Sequence, residues 1–126
     1  MKKLIYSIAI ALSFMTIACK KDKAVSITGY WTGSGINTGS SSSSFIGVLY
    51  KSDNSARVYI LSSDTTIGLK LNATYVIGAD SIRTTMTDGS NTTILSSKLN
   101  SNATQMNGTF RSLTNSTTGT WSVTKN

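Results

Sequence analysis

Few side chains in this 126-residue sequence can carry acid–base, nucleophilic or metal chemistry. There is no His and no Glu, and Cys19 is the single thiol. The Asp residues beyond the N-terminal region, Asp53, Asp64, Asp80 and Asp88, each fall in a run of turn-type residues such as Ser52-Asp53-Asn54-Ser55 or Asp88-Gly89-Ser90. In such places an Asp oxygen is used up on nearby backbone N–H groups. General acid–base catalysis needs a group of tunable pKa held in a cleft. Metal-assisted hydrolysis needs His, Cys or clustered carboxylates, and a Ser nucleophile needs a base beside it. Only a Ser–Lys dyad is left, and no Ser-x-x-Lys motif opens a helix. Ser62-Ser63-Asp64 and Asp88-Gly89-Ser90-Asn91 could offer oxygens to Ca²⁺, but neither has EF-hand spacing. The expectation is a protein that is not an enzyme, with no metal site and no cofactor.

Cys19 is the exception, because its surroundings suit a covalent modification. Lys2 and Lys3 form a positive start, and Leu4 to Ile17 form an apolar run too short and wrongly flanked for a permanent span. Thr16-Ile17-Ala18-Cys19 then resembles a lipobox, in which a small residue precedes the Cys whose thiol receives diacylglycerol. Residues 1–18 are accordingly read as a signal peptide, with Cys19 the lipidated first residue of the mature chain. The alternative is an ordinary signal peptide or membrane anchor in which Cys19 is incidental. Each acyl CH₂ in a bilayer contributes about 0.8 kcal/mol, so a three-chain anchor would be effectively permanent. The expected location is the cell envelope, lipid-anchored to the outer membrane on its periplasmic face or at the cell surface.

The elements that follow must form one domain. Residues 19–26 read as a charged tether, and 27–126 make a unit of about 100 residues, enough for one modest core without disulfides. The net charge of +7 comes partly from Lys2, Lys3, Lys20, Lys21 and Lys23 at the N-terminus. The other basic residues, Lys51, Arg57, Lys70, Arg83, Lys98, Arg111 and Lys125, are spread one per predicted strand. A nucleic-acid footprint would cluster them with exposed aromatics. No nucleic-acid partner is expected.

Ser, Thr, Asn and Gly dominate after the signal region, Pro is absent, and helix-forming runs do not occur, which predicts an all-β fold. Turn clusters, including Gly33–Ser44, Gly78-Ala79-Asp80, Asn100-Ser101-Asn102 and Thr114–Thr118, recur about every 8 to 14 residues. Between them lie eight candidate strands: Ile27–Gly33, Phe45–Lys51, Ala56–Ser62, Ile67–Ile77, Ser81–Thr87, Thr92–Leu99, Thr104–Ser112 and Gly119–Lys125. Eight strands close a small antiparallel up-and-down barrel, with a β-sandwich as the alternative. Closure requires the first and last strands to pair, and the expected pairing sets Tyr30–Thr32 against Thr120–Ser122. Period-two alternation points Ile67, Leu69, Leu71, Ala73, Tyr75 and Ile77 to one face. At about 3.3 Å per residue that strand would run roughly 36 Å, so a bend, a bulge or a division into two is expected. Met106, Gly108 and Phe110 point inward on the seventh strand, and Gly119, Trp121 and Val123 on the last. In the second strand Ile46, Val48 and Tyr50 oppose Phe45, Gly47 and Leu49, and both faces are apolar.

Thr28-Gly29-Tyr30-Trp31-Thr32-Gly33 near the mature start, with Asn107-Gly108-Thr109-Phe110 and Thr118-Gly119-Thr120-Trp121 near the end, resembles the small lipocalin-like lipoproteins of Bacteroidota. Gly29-x-Trp31 also resembles the first-strand motif of lipocalins. The resemblance implies a barrel closed at one end by Trp31, packing beneath a ligand cavity, with Gly29 letting the chain pass close by. The C-terminal helix and the disulfides of classical lipocalins have no counterpart in this sequence. Cys19-Lys20-Lys21-Asp22-Lys23 partly resembles the signals that send some lipoproteins of this group to the cell surface.

Two function classes follow. One is an anchored interaction or surface module whose barrel is filled by its own side chains and whose polar wall meets a protein or glycan. The other is a carrier holding a small apolar or amphipathic ligand inside the barrel. Trp31, Tyr75, Met106, Phe110 and Trp121 are the residues of the expected core or cavity. Their bulk favours the filled barrel, since eight strands enclose little more than their own side chains. An enclosed apolar cavity above about 300 Å³ would reverse that order. In either case the protein is expected to be a monomer.

Overall fold

The computed structural model describes residues 25–61 and 68–126. Cys19 and the other residues of the signal and lipid-attachment reading lie outside them, as does Ile67. Eight strands follow in chain order: β1 (Gly29–Asn37), β2 (Ser43–Tyr50), β3 (Ser55–Leu61), β4 (Leu69–Ile77), β5 (Ser81–Asp88), β6 (Asn91–Leu99), β7 (Gln105–Ser112) and β8 (Thr118–Lys125). Each pairs antiparallel with the next, and β1 pairs with β8, so the sheet closes into an up-and-down barrel. The sandwich alternative is thereby set aside. Closure leaves no free sheet edge.

The register at the closure differs from the expected one by four residues. Thr120–Ser122 lies against Ser34–Ile36, and Trp31 faces Lys125. Two causes combine. Strands in a barrel must tilt and stagger to close, and β1 runs on through the Gly-rich stretch to Asn37, where the sequence had suggested a turn from Gly33. Gly33 makes that continuation possible: a Cβ at this position would fall on the carbonyl oxygen of Ser122 in β8. The long fourth strand is one element of nine residues from Leu69, and its expected alternation holds at Leu71, Ala73 and Tyr75, which are buried. Leu69 and Ile77 sit at its two ends and are about half exposed.

The ambiguous second strand points Ile46, Val48 and Tyr50 inward. Its outer face is covered in part by the Tyr30 ring, whose hydroxyl lies where a Gly47 side chain would go, and Tyr30 meets Tyr59 edge-on at 6.1 Å. Elsewhere the outer wall is mainly polar, with Lys70, Asn72 and Thr74 exposed on β4 and Asn107, Thr109 and Arg111 on β7, interrupted by apolar residues such as the exposed Val76. Among the described residues no helix is long and apolar enough to cross a membrane.

The bulk of the core lies in the half of the barrel where β1 begins. Trp31 is fully buried, and its indole Nε1–H donates to the Ile27 carbonyl at 2.8 Å, so the chain entering β1 folds under the barrel as a plug. Lys125 Nζ lies 5.6 Å from the Trp31 ring centre, a cation–π contact. Gly29, at φ +129°, makes the bend between plug and strand. Tyr50 and Tyr75 pack edge to face at 4.9 Å beside this plug. Tyr75 donates its hydroxyl to the Lys51 carbonyl at 2.6 Å, and Tyr50 shares a 2.8 Å hydrogen bond with the buried Thr84 hydroxyl. Burial pushes the Tyr50 phenol up to about 12, against a lowering from the Thr84 bond.

Candidate functional site

Inward positions, followed from the plugged end to the other, end on a polar residue on several strands. Along β1 they read Trp31, Gly33, Gly35 and Asn37, and along β2 Tyr50, Val48, Ile46 and Ser44. Along β5 they read Ile82, Thr84, Met86 and Asp88, and along β7 Met106, Gly108, Phe110 and Ser112. Eight strands leave room either for side chains alone or for one small ligand. Beyond the plugged core, room remains.

That room is a cavity of about 420 Å³ opening at the end of the barrel opposite the plug. Its apolar wall is formed by Ile46, Ile60, Leu71, Met86, Leu95 and Phe110. The Phe110 ring stands over Gly119, filling the place of the missing side chain there. Around the mouth are Asn37, Ser44, Asp88, Asn91 and Asn115. Asp88 is the only ionisable side chain among the described lining residues. Its volume falls within the usual range of small-molecule sites, and its lining is divided about evenly between apolar and polar residues.

The mouth is braced by bonds between loops that are distant in sequence. Leu113 N–H donates to the Thr92 carbonyl at 2.8 Å, and the Thr114 hydroxyl to the Ser90 carbonyl at 3.2 Å, tying the β7–β8 loop to the β5–β6 hairpin. Thr38 N–H donates to the Thr118 carbonyl at 2.8 Å, tying the β1–β2 loop to β8. A rim held in this way loses little further entropy when a ligand enters.

Of the five residues expected from the sequence to form the core or cavity, only Phe110 lines this cavity. Trp31, Tyr75, Met106 and Trp121 are buried core, part of the one hydrophobic cluster that also supplies the cavity wall, and none of them lines the cavity. Trp121 lies opposite Gly35 and Gly108, and its Nε1–H is buried without a hydrogen-bond partner among the described residues. The sequence shows Met86 and Leu95 only as strand residues, Ile46 as one side of a strand apolar on both faces, Asn37 as part of a turn cluster, and Asp88 and Asn91 as turn residues with oxygens open to Ca²⁺; none of them is marked there as lining a cavity. Aligning the inward positions strand by strand would have shown the polar residues Asn37, Ser44, Asp88 and Ser112 at one end. Among the described residues no three of His, Cys, Asp or Glu gather in one place. No protein-family model matches the chain, and no curated protein matches it in sequence.

Proposed function

We propose that this protein is an envelope carrier that holds one small amphipathic molecule in the open half of its barrel. The observation that carries this reading is the cavity of about 420 Å³, walled by Ile46, Leu71, Met86, Leu95 and Phe110 and rimmed by polar side chains. An apolar body would lie against that wall and remove its surface from water, at roughly 25 cal/mol per Å². A polar head group would remain among Asn37, Asp88, Asn91 and Asn115. The filled-barrel interaction module, which the bulk of Trp31, Tyr75, Met106 and Trp121 favoured, becomes the weaker reading because none of those residues fills the cavity.

Lipidation at Cys19 and residence in the outer membrane remain part of this proposal, resting on the sequence. They have a geometric consequence. The chain enters β1 beneath the plugged end, through Ser26 and Ile27, so a membrane anchor at Cys19 would attach there. The eight residues from Cys19 to Ser26 reach at most about 28 Å when fully extended. An upright domain would then turn its cavity mouth away from the bilayer that holds it, and the ligand would exchange with the aqueous side.

The test is a titration of the protein with a fluorescent apolar probe that brightens out of water, comparing wild type with Leu69→Trp. Leu69 lines the cavity and is about half exposed, so an indole there obstructs the mouth without disturbing the plugged core. Wild type should bind one probe saturably, and Leu69→Trp should lose binding with an unchanged melting temperature. Equal probe binding by both would remove the cavity as the site.

A further inference from the structure

The outer wall of β5, β6 and β7 carries a second depression, a groove of about 300 Å³ lined by Arg83, Ile94, Ser96, Thr109 and Arg111. The strand register sets these residues in two rows. Arg83 lies opposite Ser96, which lies opposite Thr109; in the neighbouring row Thr85 lies opposite Ile94, which lies opposite Arg111. The two arginines therefore occupy diagonal corners of a patch three strands wide. With strands about 4.8 Å apart and a rise of about 3.3 Å per residue, their Cα atoms are about 12 Å apart. From there two extended guanidinium groups can meet above Ser96 and Ile94.

Nothing in the fold requires two cations at this place. Both arginines are exposed, and neither makes an ion pair among the described residues, where the one salt bridge joins Lys98 to Asp80 at 3.3 Å. Lys70 and Lys125 are occupied differently, each over an aromatic ring. Among the described residues no carboxylate lines the groove to balance it. Like charges sharing a groove repel, and they also raise the local concentration of anions. Arginine offers a planar fork of N–H donors suited to oxyanions. The Ser96 and Thr109 hydroxyls add donors between the two forks. A single carboxylate presents two oxygens in one plane and would satisfy one fork. A tetrahedral oxyanion presents oxygens in several directions, which is what donors arriving from two corners and from below can use.

We propose that this groove binds a phosphate or sulfate group, either as a soluble ion or ester or as a phosphomonoester lipid head group. The test uses the full-length ¹⁵N-labelled protein at low ionic strength, titrated with sodium phosphate, sodium sulfate and, at matched ionic strength, sodium chloride. Phosphate and sulfate should give saturating shifts at the Ser96 and Thr109 amides, and chloride should not. Arg83→Gln and Arg111→Gln should each weaken phosphate binding at least fivefold, while Arg57→Gln on β3 should leave it unchanged. The rest of each spectrum reports whether the fold is intact. Flotation of the Cys19→Ser protein with phosphatidic acid vesicles, against phosphatidylcholine vesicles, separates the two sources. Selective flotation lost in Arg83→Gln assigns the head group, and saturation by phosphate without flotation assigns the soluble form. Equal shifts with chloride, or equal weakening by Arg57→Gln, would overturn the site.

Discussion

Replacing each tryptophan by phenylalanine should separate two residues that are equally buried and differently bonded. Trp31 and Trp121 are 0% and 3% exposed, so either change removes about the same packed volume, at a cost of about 1–2 kcal/mol. At Trp31 the change also deletes the hydrogen bond to Ile27 and leaves that carbonyl unpaired under the barrel. The lost bond and the orphaned acceptor add about 1–3 kcal/mol. At Trp121 the change deletes an N–H that has no partner among the described residues, which relieves a desolvation cost of similar size. Trp31→Phe should therefore cost about 3 kcal/mol and Trp121→Phe between about 0 and 1 kcal/mol. Urea unfolding followed by far-ultraviolet circular dichroism reads the difference without relying on indole fluorescence. With a slope of about 1–2 kcal/mol per molar urea, the two midpoints should lie about 1–2 M apart. Equal midpoints, or a larger loss at Trp121, would refute the roles assigned to the plug and to the unpaired indole.

Alkali should unfold the protein through Tyr50. Its phenol titrates at about 12 in the folded state and near 10 when exposed, so the stability it contributes is fully present below pH 10 and falls away as pH rises to 12. Two units correspond to about 2.7 kcal/mol, and denaturant midpoints measured across that window should show the slope in wild type and lose it in Tyr50→Phe. Gly33→Ala should destabilise the barrel by more than about 2 kcal/mol, because its Cβ falls on the Ser122 carbonyl at the β1–β8 seam; a melting temperature within a degree of wild type would contradict the described closure. Cys19→Ser, once exported and processed, should move the whole protein to the soluble fraction. Retention on membranes after a high-salt wash would show a second means of attachment.

Strand number and order were legible because turn residues recur at short intervals and alternation identifies inward positions such as Leu71, Ala73, Tyr75, Trp121 and Val123. Register was not. It depends on the tilt that closes the barrel and on backbone approach at Gly33, neither of which leaves a periodic mark in the chain. The inward face of β2 was equally hidden, since Phe45, Gly47 and Leu49 form an apolar outer face that makes sense only beside Tyr30 and Tyr59. The cavity was partly legible. Its wall residues read as ordinary core, and its rim residues read as ordinary turns, because a cavity belongs to the arrangement of eight strands and to no single one. What marks it is the polar residue that ends the inward row on several strands, Asn37 on β1, Ser44 on β2, Asp88 on β5 and Ser112 on β7. A reading that weighs bulky residues without their height in the barrel takes Trp31 and Trp121 as evidence of filling, although both lie below the open half.

Native mass spectrometry of the protein purified from its own membranes tests the proposed function most directly. The account predicts a non-covalent adduct of one small amphipathic molecule per chain in wild type, released on unfolding and missing from Leu69→Trp. A wild-type spectrum free of any adduct, together with no binding of the apolar probe, would contradict the carrier reading and leave the outer wall of the barrel as the place to look for function.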